Sequence, residues 1–517
     1  MSATPAATAT TTAAIDHKLH FRAGRWIDNW NPEDTVQWEA EGSKIAKRNL
    51  GFSVYAEFLG FCVWQLWSIV VTYLNGWQGF KFDSNQQFWL ISLPSLVGAT
   101  LRFPYTFMIS KIGGRNWTIC SATLLLIPTI AMGFAISNHP TCTGDVCTGG
   151  TSYGVMLLVA ALGGFGGGNF ASSMANITFF FPQRTKGWAL GLNAAGGNIG
   201  ASISQFIVPI VISIGAAKVL LDDGTTKTMT HLPWAGWFWV PFIVAAMIFA
   251  AVKMNNLSSA KADMTGYKEA LKDPHLWITS FLYIGTFGSF IGLAGAFPKL
   301  IKDQFPTYST IDLGIVAIGL AFLGPLVGSL ARPYGGRLAD KIGGAYITVG
   351  AFIVMIAATF TAVMILKHCE SVVTSTGTPW HTGFWIFLLD FLVLFIATGV
   401  GNGSMYKMIP NVFQFRAGVV NAQTESGGIS VERKVSSALG IVSAFGAYGG
   451  FFIPQVFNQA IKLHKGATAS VGGKDIDLQT VQGYQTGLWW LFAAYIVFLI
   501  VTIVCYVLPY SKKGTRV

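Results

Sequence analysis

The chain has 517 residues, of which 52% are hydrophobic and only 11% charged, against roughly 25% charged in a soluble domain. That balance excludes an ordinary soluble globular protein and points to one that uses lipid as its solvent. The formal charge of +11 is spread through short loops rather than gathered in a patch, so no nucleic-acid partner is expected.

In chain order, Met1 to Ala14 is a low-complexity run of mostly Ala and Thr, which reads as disordered. No cleavable signal peptide is expected, because the run lacks a basic start and the first apolar stretch begins near Ser53. Asn31-Pro32-Glu33-Asp34 reads as a helix start, with Asn31 as cap and Pro32 at the first position. The helix that follows carries Trp38 and ends in Lys44, Lys47 and Arg48. It reads as a short amphipathic helix at the cytoplasmic interface, with a solvated tail as the alternative.

Apolar stretches of about 20 residues, the length that crosses a bilayer, then recur along the chain. We place twelve spans near 53–74, 86–108, 116–137, 152–178, 187–213, 235–253, 277–297, 310–332, 345–366, 383–409, 436–460 and 483–508. The loops on the side of both termini hold 19 Lys and Arg from Lys44 onward, and the opposite loops hold 9. The positive-inside rule therefore puts both termini in the cytoplasm. In an outer loop, Cys142 and Cys147 suit a small disulfide on an oxidising face. A metal site with His139 is the alternative, but it lacks a fourth ligand, and no metal is expected.

The second span returns in the eighth at an offset of 230 residues. Leu96-Val97-Gly98, Arg102 and Lys111-Ile112-Gly113-Gly114 come back as Leu326-Val327-Gly328, Arg332 and Lys341-Ile342-Gly343-Gly344, 8 matches in 19 positions. A period this long suits a duplicated six-helix unit, two parallel repeats about an axis along the membrane normal. An arginine at such depth is costly and marks a functional site. Two at equivalent positions imply one central site for an anion. The basic turns Lys111 to Arg115 and Arg337 to Lys341, with Asp340, read as a latch between the halves.

Two glycine-rich segments carry a resemblance to a known family. One runs Gly187-Trp188-Ala189-Leu190-Gly191-Leu192-Asn193-Ala194-Ala195-Gly196-Gly197-Asn198-Ile199, and the other runs from Gly440 to Phe451 with Gly446, Gly449 and Gly450. With the run Asn169 to Asn176 and the arginine segments, they resemble the nitrate/nitrite porters, the NarK-like branch of the major facilitator superfamily. The likeness extends from about Trp30 to the last span. Ala194 departs from the glycine usual there.

The resemblance implies an all-α major facilitator fold of twelve helices in two six-helix halves, in the bacterial inner membrane. Its expected divisions are a tail (1–50), the first bundle (51–255), a linker (256–276), the second bundle (277–508) and a second tail (509–517). It implies nitrate and nitrite as substrates, no cofactor, no enzymatic reaction, a monomer, and Arg102 and Arg332 closing on the anion. Phe170, Tyr283 and Phe287 match positions that line the substrate, and Asn198 is placed to donate its amide N–H. Chemistry agrees: a planar guanidinium fork meets two oxygens of a planar anion and compensates its charge. Gly187, Gly191, Gly196, Gly197 and Gly200 in span five, and Gly440, Gly446, Gly449 and Gly450 in span eleven, suit close helix contacts that permit rocking.

The coupling ion is less legible. Glu57 reads as close to the cytoplasmic end of span one and Asp390 as two turns below the outer end of span ten. Lys407 either snorkels to the interface or adds a third positive charge on the exit path. With no titratable group at the centre, nitrate/nitrite exchange is the economical mode, since two arginines without an anion repel one another. Proton symport through Glu57 or Asp390 is the alternative. An anion channel, a carrier of sugars or organic acids, and a membrane enzyme each fit the repeat and the arginines less well.

Overall fold

A backbone in lipid has to satisfy its own N–H and C=O groups, so helices carry the whole architecture. The computed structural model describes residues 17–75, 79–143, 146–216, 218–220, 226–228, 230–260, 264–313, 316–377, 383–421, 431–471 and 474–511. Its long helices are α1 (Ser43–Leu74), α2 (Ser84–Ile112), α3 (Gly114–Ser137), α4 (Tyr153–Phe180), α5 (Gln183–Ser213) and α6 (Trp234–Lys253). A short helix (Met264–Leu271) leads to α7 (Pro274–Gln304), α8 (Leu323–Ile342), α9 (Gly344–Thr376), α10 (Gly383–Asn421), α11 (Ser437–Leu463) and α12 (Gln479–Val507). Ten of these are long and apolar enough to cross a membrane. The other two, α2 and α8, are the helices that carry Arg102 and Arg332.

The repeat has a structural reason at its glycines. Both arginine helices end on a glycine with positive φ, Gly113 (89°) and Gly343 (110°). Their N–H groups cap the helices by donating to Ile109 and Ala339 carbonyls at 2.9 Å. The next residues cannot carry a side chain: a Cβ on Gly114 would fall on the Asn176 amide, and one on Gly344 would press on Met408.

The two halves use the same pairing of helices. In the first, α5 lies on α1, where Gly196 meets Val54 and Gly200 meets the Phe58 carbonyl. In the second, α11 lies on α7, and a Cβ on Gly449 would collide with Gly288 Cα. Such backbone contact supplies the packing that the hydrophobic effect does not supply in lipid. Paired strands follow α3, α5, α7 and α11, which places them at one end of the alternating helices, and strand Trp26–Ile27 of the tail pairs just after α6, at the other end. On the hairpin side of the arginines the halves are hydrogen-bonded through Asn458–Asn85 (3.0 Å), Gln455–Ser92 (2.7 Å) and Ser202–Phe322 O (2.9 Å).

Two expectations shift. The span placed at 310–332 begins later: residues Thr310–Asp312 and Ala317–Gly319 pair as a hairpin, and α8 starts at Leu323. Pro325 then sits in its first turn, where a missing N–H is not felt. At the N-terminus the cap is Asp34, not Asn31; its carboxylate accepts from Val36 and Gln37 N–H. The helix then runs on through a π turn (Trp38–Gly42) into α1. Its aromatic residues pack on the chain itself: Trp30 is 5% exposed and donates to Phe179 O, and Trp38 stands edge-on to Phe181. Strand Trp26–Ile27 pairs in parallel with Asn256–Leu257 just after α6.

Candidate functional site

Arg102 and Arg332 come from the middles of α2 and α8, and both are buried, at 1% and 5% exposure. Arg102 is held by backbone. Its Nε donates to Gly167 O on α4 (3.0 Å), and its Nη1 reaches across the halves to Ser443 O on α11 (2.7 Å). Its Nη2 has no hydrogen-bond partner among the described residues. Arg332 differs: both Nη1 and Nη2 are buried without a partner among the described residues. Leaving such donors unmet is costly, so they are suited to an acceptor that comes and goes.

Phe170 of α4 faces both guanidiniums, whose Cζ atoms lie 4.6 Å (Arg102) and 5.9 Å (Arg332) from its ring centre. Phe287 of α7 is nearly parallel to it, at 6.2 Å and 24°, and lies 5.3 Å from Arg102 Cζ. Tyr283 stacks on Phe287 (5.3 Å, 21°), as residues four apart on one helix do. Its hydroxyl donates to Asn402 Oδ1 on α10 at 2.8 Å. Asn198 of α5 is buried, and neither of its amide atoms has a partner among the described residues.

Glu57 moves furthest from expectation. Since α1 starts at Ser43 rather than Ser53, Glu57 falls in its middle, fully buried and within electrostatic reach of Arg332 and Arg102. Its Oε2 accepts from Asn193 Nδ2 at 2.7 Å, and Oε1 has no partner among the described residues. Asn193 also meets Ser173 Oγ at 2.7 Å, and Ser173 meets Ser53 Oγ at 2.9 Å. A Cβ on Gly197 would collide with Glu57 Oε1, so this signature glycine makes room for the carboxylate. Asp390 is half-buried, with Oδ2 unpartnered among the described residues and none of the central groups acting on it.

Known proteins resemble this chain along most of its length. The profile of the Major Facilitator Superfamily matches residues 56–454. The nitrate/nitrite transporter NarU of Salmonella typhimurium is 41% identical over 448 residues, spanning 84% of this chain and 90% of that protein. This chain belongs to the NarK-like nitrate/nitrite transporter family. The probable nitrate/nitrite antiporter NarK2 of Thermus thermophilus is 35% identical over 442 residues, with 84% and 89% covered. Among solved structures, the xylose transporter XylE from E. coli superposes with a TM-score of 0.59 at 11% identity, covering 90% of this chain and 98% of that one. That likeness concerns the fold alone. Family membership makes the chain a multi-pass membrane transporter and not an enzyme.

Other expected residues of this NarK-like chain fall outside the centre. Lys407 pairs with Asp340 at 3.0 Å, and both are exposed. That pair joins α10 to α8 within one half, so in this structure Asp340 is paired inside its own half rather than across to the other. Arg115 likewise donates to Ala251 O and Gly24 O inside the first half. Of the signature glycines, a Cβ on Gly191 would have nothing within 4 Å and one on Gly187 only Lys407 Nζ at 3.8 Å, so neither serves close packing. Gly446 does, against the Tyr283 ring, as do Gly440 against Tyr267 and Gly450 against Ser95. Cys142 and Cys147 are opposite each other in a hairpin, but their side chains lie outside the described residues.

Sequence reasoning missed several residues of this central cluster. Tyr406 lies 5.4 Å from Arg332 Cζ, and Trp64 lies 5.4 Å from Arg102 Cζ. Asn402 holds Tyr283, and Ser173 holds Asn193, the donor to Glu57. One signal was available: Gly168-Asn169 in α4 returns as Gly401-Asn402 in α10. The carbonyls of Gly167 and Ser443 had none, since a backbone oxygen leaves no mark in composition.

Proposed function

We propose that the chain carries nitrate and nitrite across the cytoplasmic membrane by alternating access, with twelve spans, both termini cytoplasmic, and the anion held between Arg102 and Arg332. The observation that carries this reading is the fork of Arg332, unpartnered among the described residues, which faces the same Phe170 ring as Arg102. A flat anion with several equivalent oxygens takes two donors from such a fork and lies against the flat faces of Phe170 and Phe287. The names of the NarU and NarK2 relatives support the choice of substrate.

Two coupling modes fit this site. Nitrate/nitrite exchange follows from the two arginines, because each half-cycle would carry an anion between them. The position of Glu57 favours a second mode, in which a proton accompanies the anion, since a carboxyl group stands in the central layer after all. Purified protein in liposomes separates them when internal anion and pH gradient are set independently. Uptake that needs internal nitrite and ignores a pH gradient would establish exchange. Uphill uptake driven by an inward proton gradient with no internal anion would establish the proton-coupled mode. Absence of nitrate flux in both arrangements would overturn the choice of substrate.

A further inference from the structure

We infer that Glu57 is a resident counter-anion: ionised, it stands in for the substrate while the carrier returns empty, and it takes up a proton when the anion binds. The inference rests on the reading of an anion between the arginines and assigns a residue and a charge cycle to it.

The argument begins with charge. Two guanidiniums buried in one layer repel each other strongly where the dielectric is low. Among the described residues, the charged and titratable groups facing Glu57 are Arg332 from α8, Arg102 from α2 and Tyr406 from α10. The neutral ones are Asn193 from α5 and Ser173 from α4. With Glu57 ionised, the layer carries one net positive charge. Adding a nitrate alone would bring it to zero; adding a nitrate and a proton on Glu57 leaves it at one. The loaded and empty carriers then cross the closed state with the same charge, and neither exposes two uncompensated guanidiniums. This removes the penalty on an empty return that otherwise makes exchange obligatory.

The surroundings of Glu57 suit both protonation states. As a carboxylate it accepts from Asn193 Nδ2, and its Oε1 is unoccupied by any described donor. An amide can serve the acid too: turned over, its C=O accepts from a carboxylic O–H. Asn193 Oδ1 has no partner among the described residues, and the Nδ2 bond to Ser173 Oγ that the turn gives up can be replaced by that hydroxyl donating to Oδ1. Gly197 keeps the space that Oε1 needs. Asp390 offers none of this, because the central groups do not act on it.

The test uses full-length protein. In unbuffered detergent solution, adding nitrate should make the wild type take up protons, read with a pH indicator, and this should vanish in Glu57→Gln. In liposomes, Glu57→Gln should lose net uptake driven by a pH gradient about tenfold or more relative to its own nitrate/nitrite exchange. Glu57→Asp should recover part of the proton uptake. If the wild type binds nitrate without taking up a proton, the inference fails with no variant needed. It also fails if Glu57→Gln keeps the same ratio of driven uptake to exchange. Loss of nitrate binding or flux by the wild type itself would instead overturn the proposed substrate.

Discussion

Arg102 and Arg332 are equivalent in the repeat, yet the structure uses them differently. Arg102 is fixed by carbonyls of Gly167 and Ser443, one from each half, and is flanked by Trp64, Phe170 and Phe287. Arg332 keeps both terminal nitrogens unpartnered among the described residues and faces Phe170 and Tyr406. One arginine is hydrogen-bonded into the contact that joins the halves, and the other keeps its fork open among the described residues, as the proposed anion site requires. The repeat thus places two identical charges, and their surroundings differ: carbonyls hold one, and the other is left open for the proposed anion.

The strongest way to break this comparison is to replace each arginine with lysine, which keeps the charge but loses the fork. Arg332→Lys should lower transport kcat/KM about a hundredfold while leaving the melting temperature unchanged. Arg102→Lys should also impair transport, but it should cost about 1–3 kcal/mol of stability through loss of the guanidinium's hydrogen bonds to the Gly167 and Ser443 carbonyls. Equal thermal shifts in the two variants would erase the distinction. Next comes the room left for Glu57. Gly197→Ala, whose methyl group would meet Oε1, should cut transport about tenfold. Gly191→Ala, with open space around it, should transport like the wild type. A smaller effect is expected from the second half's exposed pair: Lys407→Ala should cost less than about 1 kcal/mol and leave KM for nitrate unchanged, which a third positive charge on the path would not allow.

The smallest effect lies far from the arginines, at the cap of the tail helix. Hydrogen bonding from His17, then from Gln37 N–H, holds the Asp34 carboxyl below its ordinary value of 3.8. Its contribution to docking of the tail is thus complete above pH 3.8 and is lost as pH falls through the lowered folded value. Fluorescence of Trp30, which packs on Phe180, should report that release at acid pH, and Asp34→Asn should remove its pH dependence.

Much of the architecture was legible because lipid leaves few choices. Apolar length gave the helices, and the 230-residue repeat gave the two halves and both arginines. The boundary of α8 was misread because the stretch 310–322 is apolar enough to pass for helix, although the repeat itself, by aligning Arg332 with Arg102, required a later start. Glu57 was misread for a related reason. The polar stretch from Ser43 to Asn49 reads as the end of a separate interfacial helix but forms the first turns of α1 itself, which shifts every residue of α1 deeper than hydropathy suggests. The inequality of the two arginines had no signature at all, because it rests on which carbonyls lie within reach.

The parallel pairing of Trp26–Ile27 with Asn256–Leu257 has a mechanical consequence. It stitches the start of the inter-half connection to the first half, so the leash on which the second half moves begins only beyond Ala260. Much of what remains before Asp273 is the helix Met264–Leu271, which spans about 12 Å at 1.5 Å per residue. Its Tyr267 is also seated on Phe107 of α2. A leash this short allows pivoting but little drifting apart, so under the proposed alternating access the second half would swing like a door on a tight hinge pin rather than float on a loose cord.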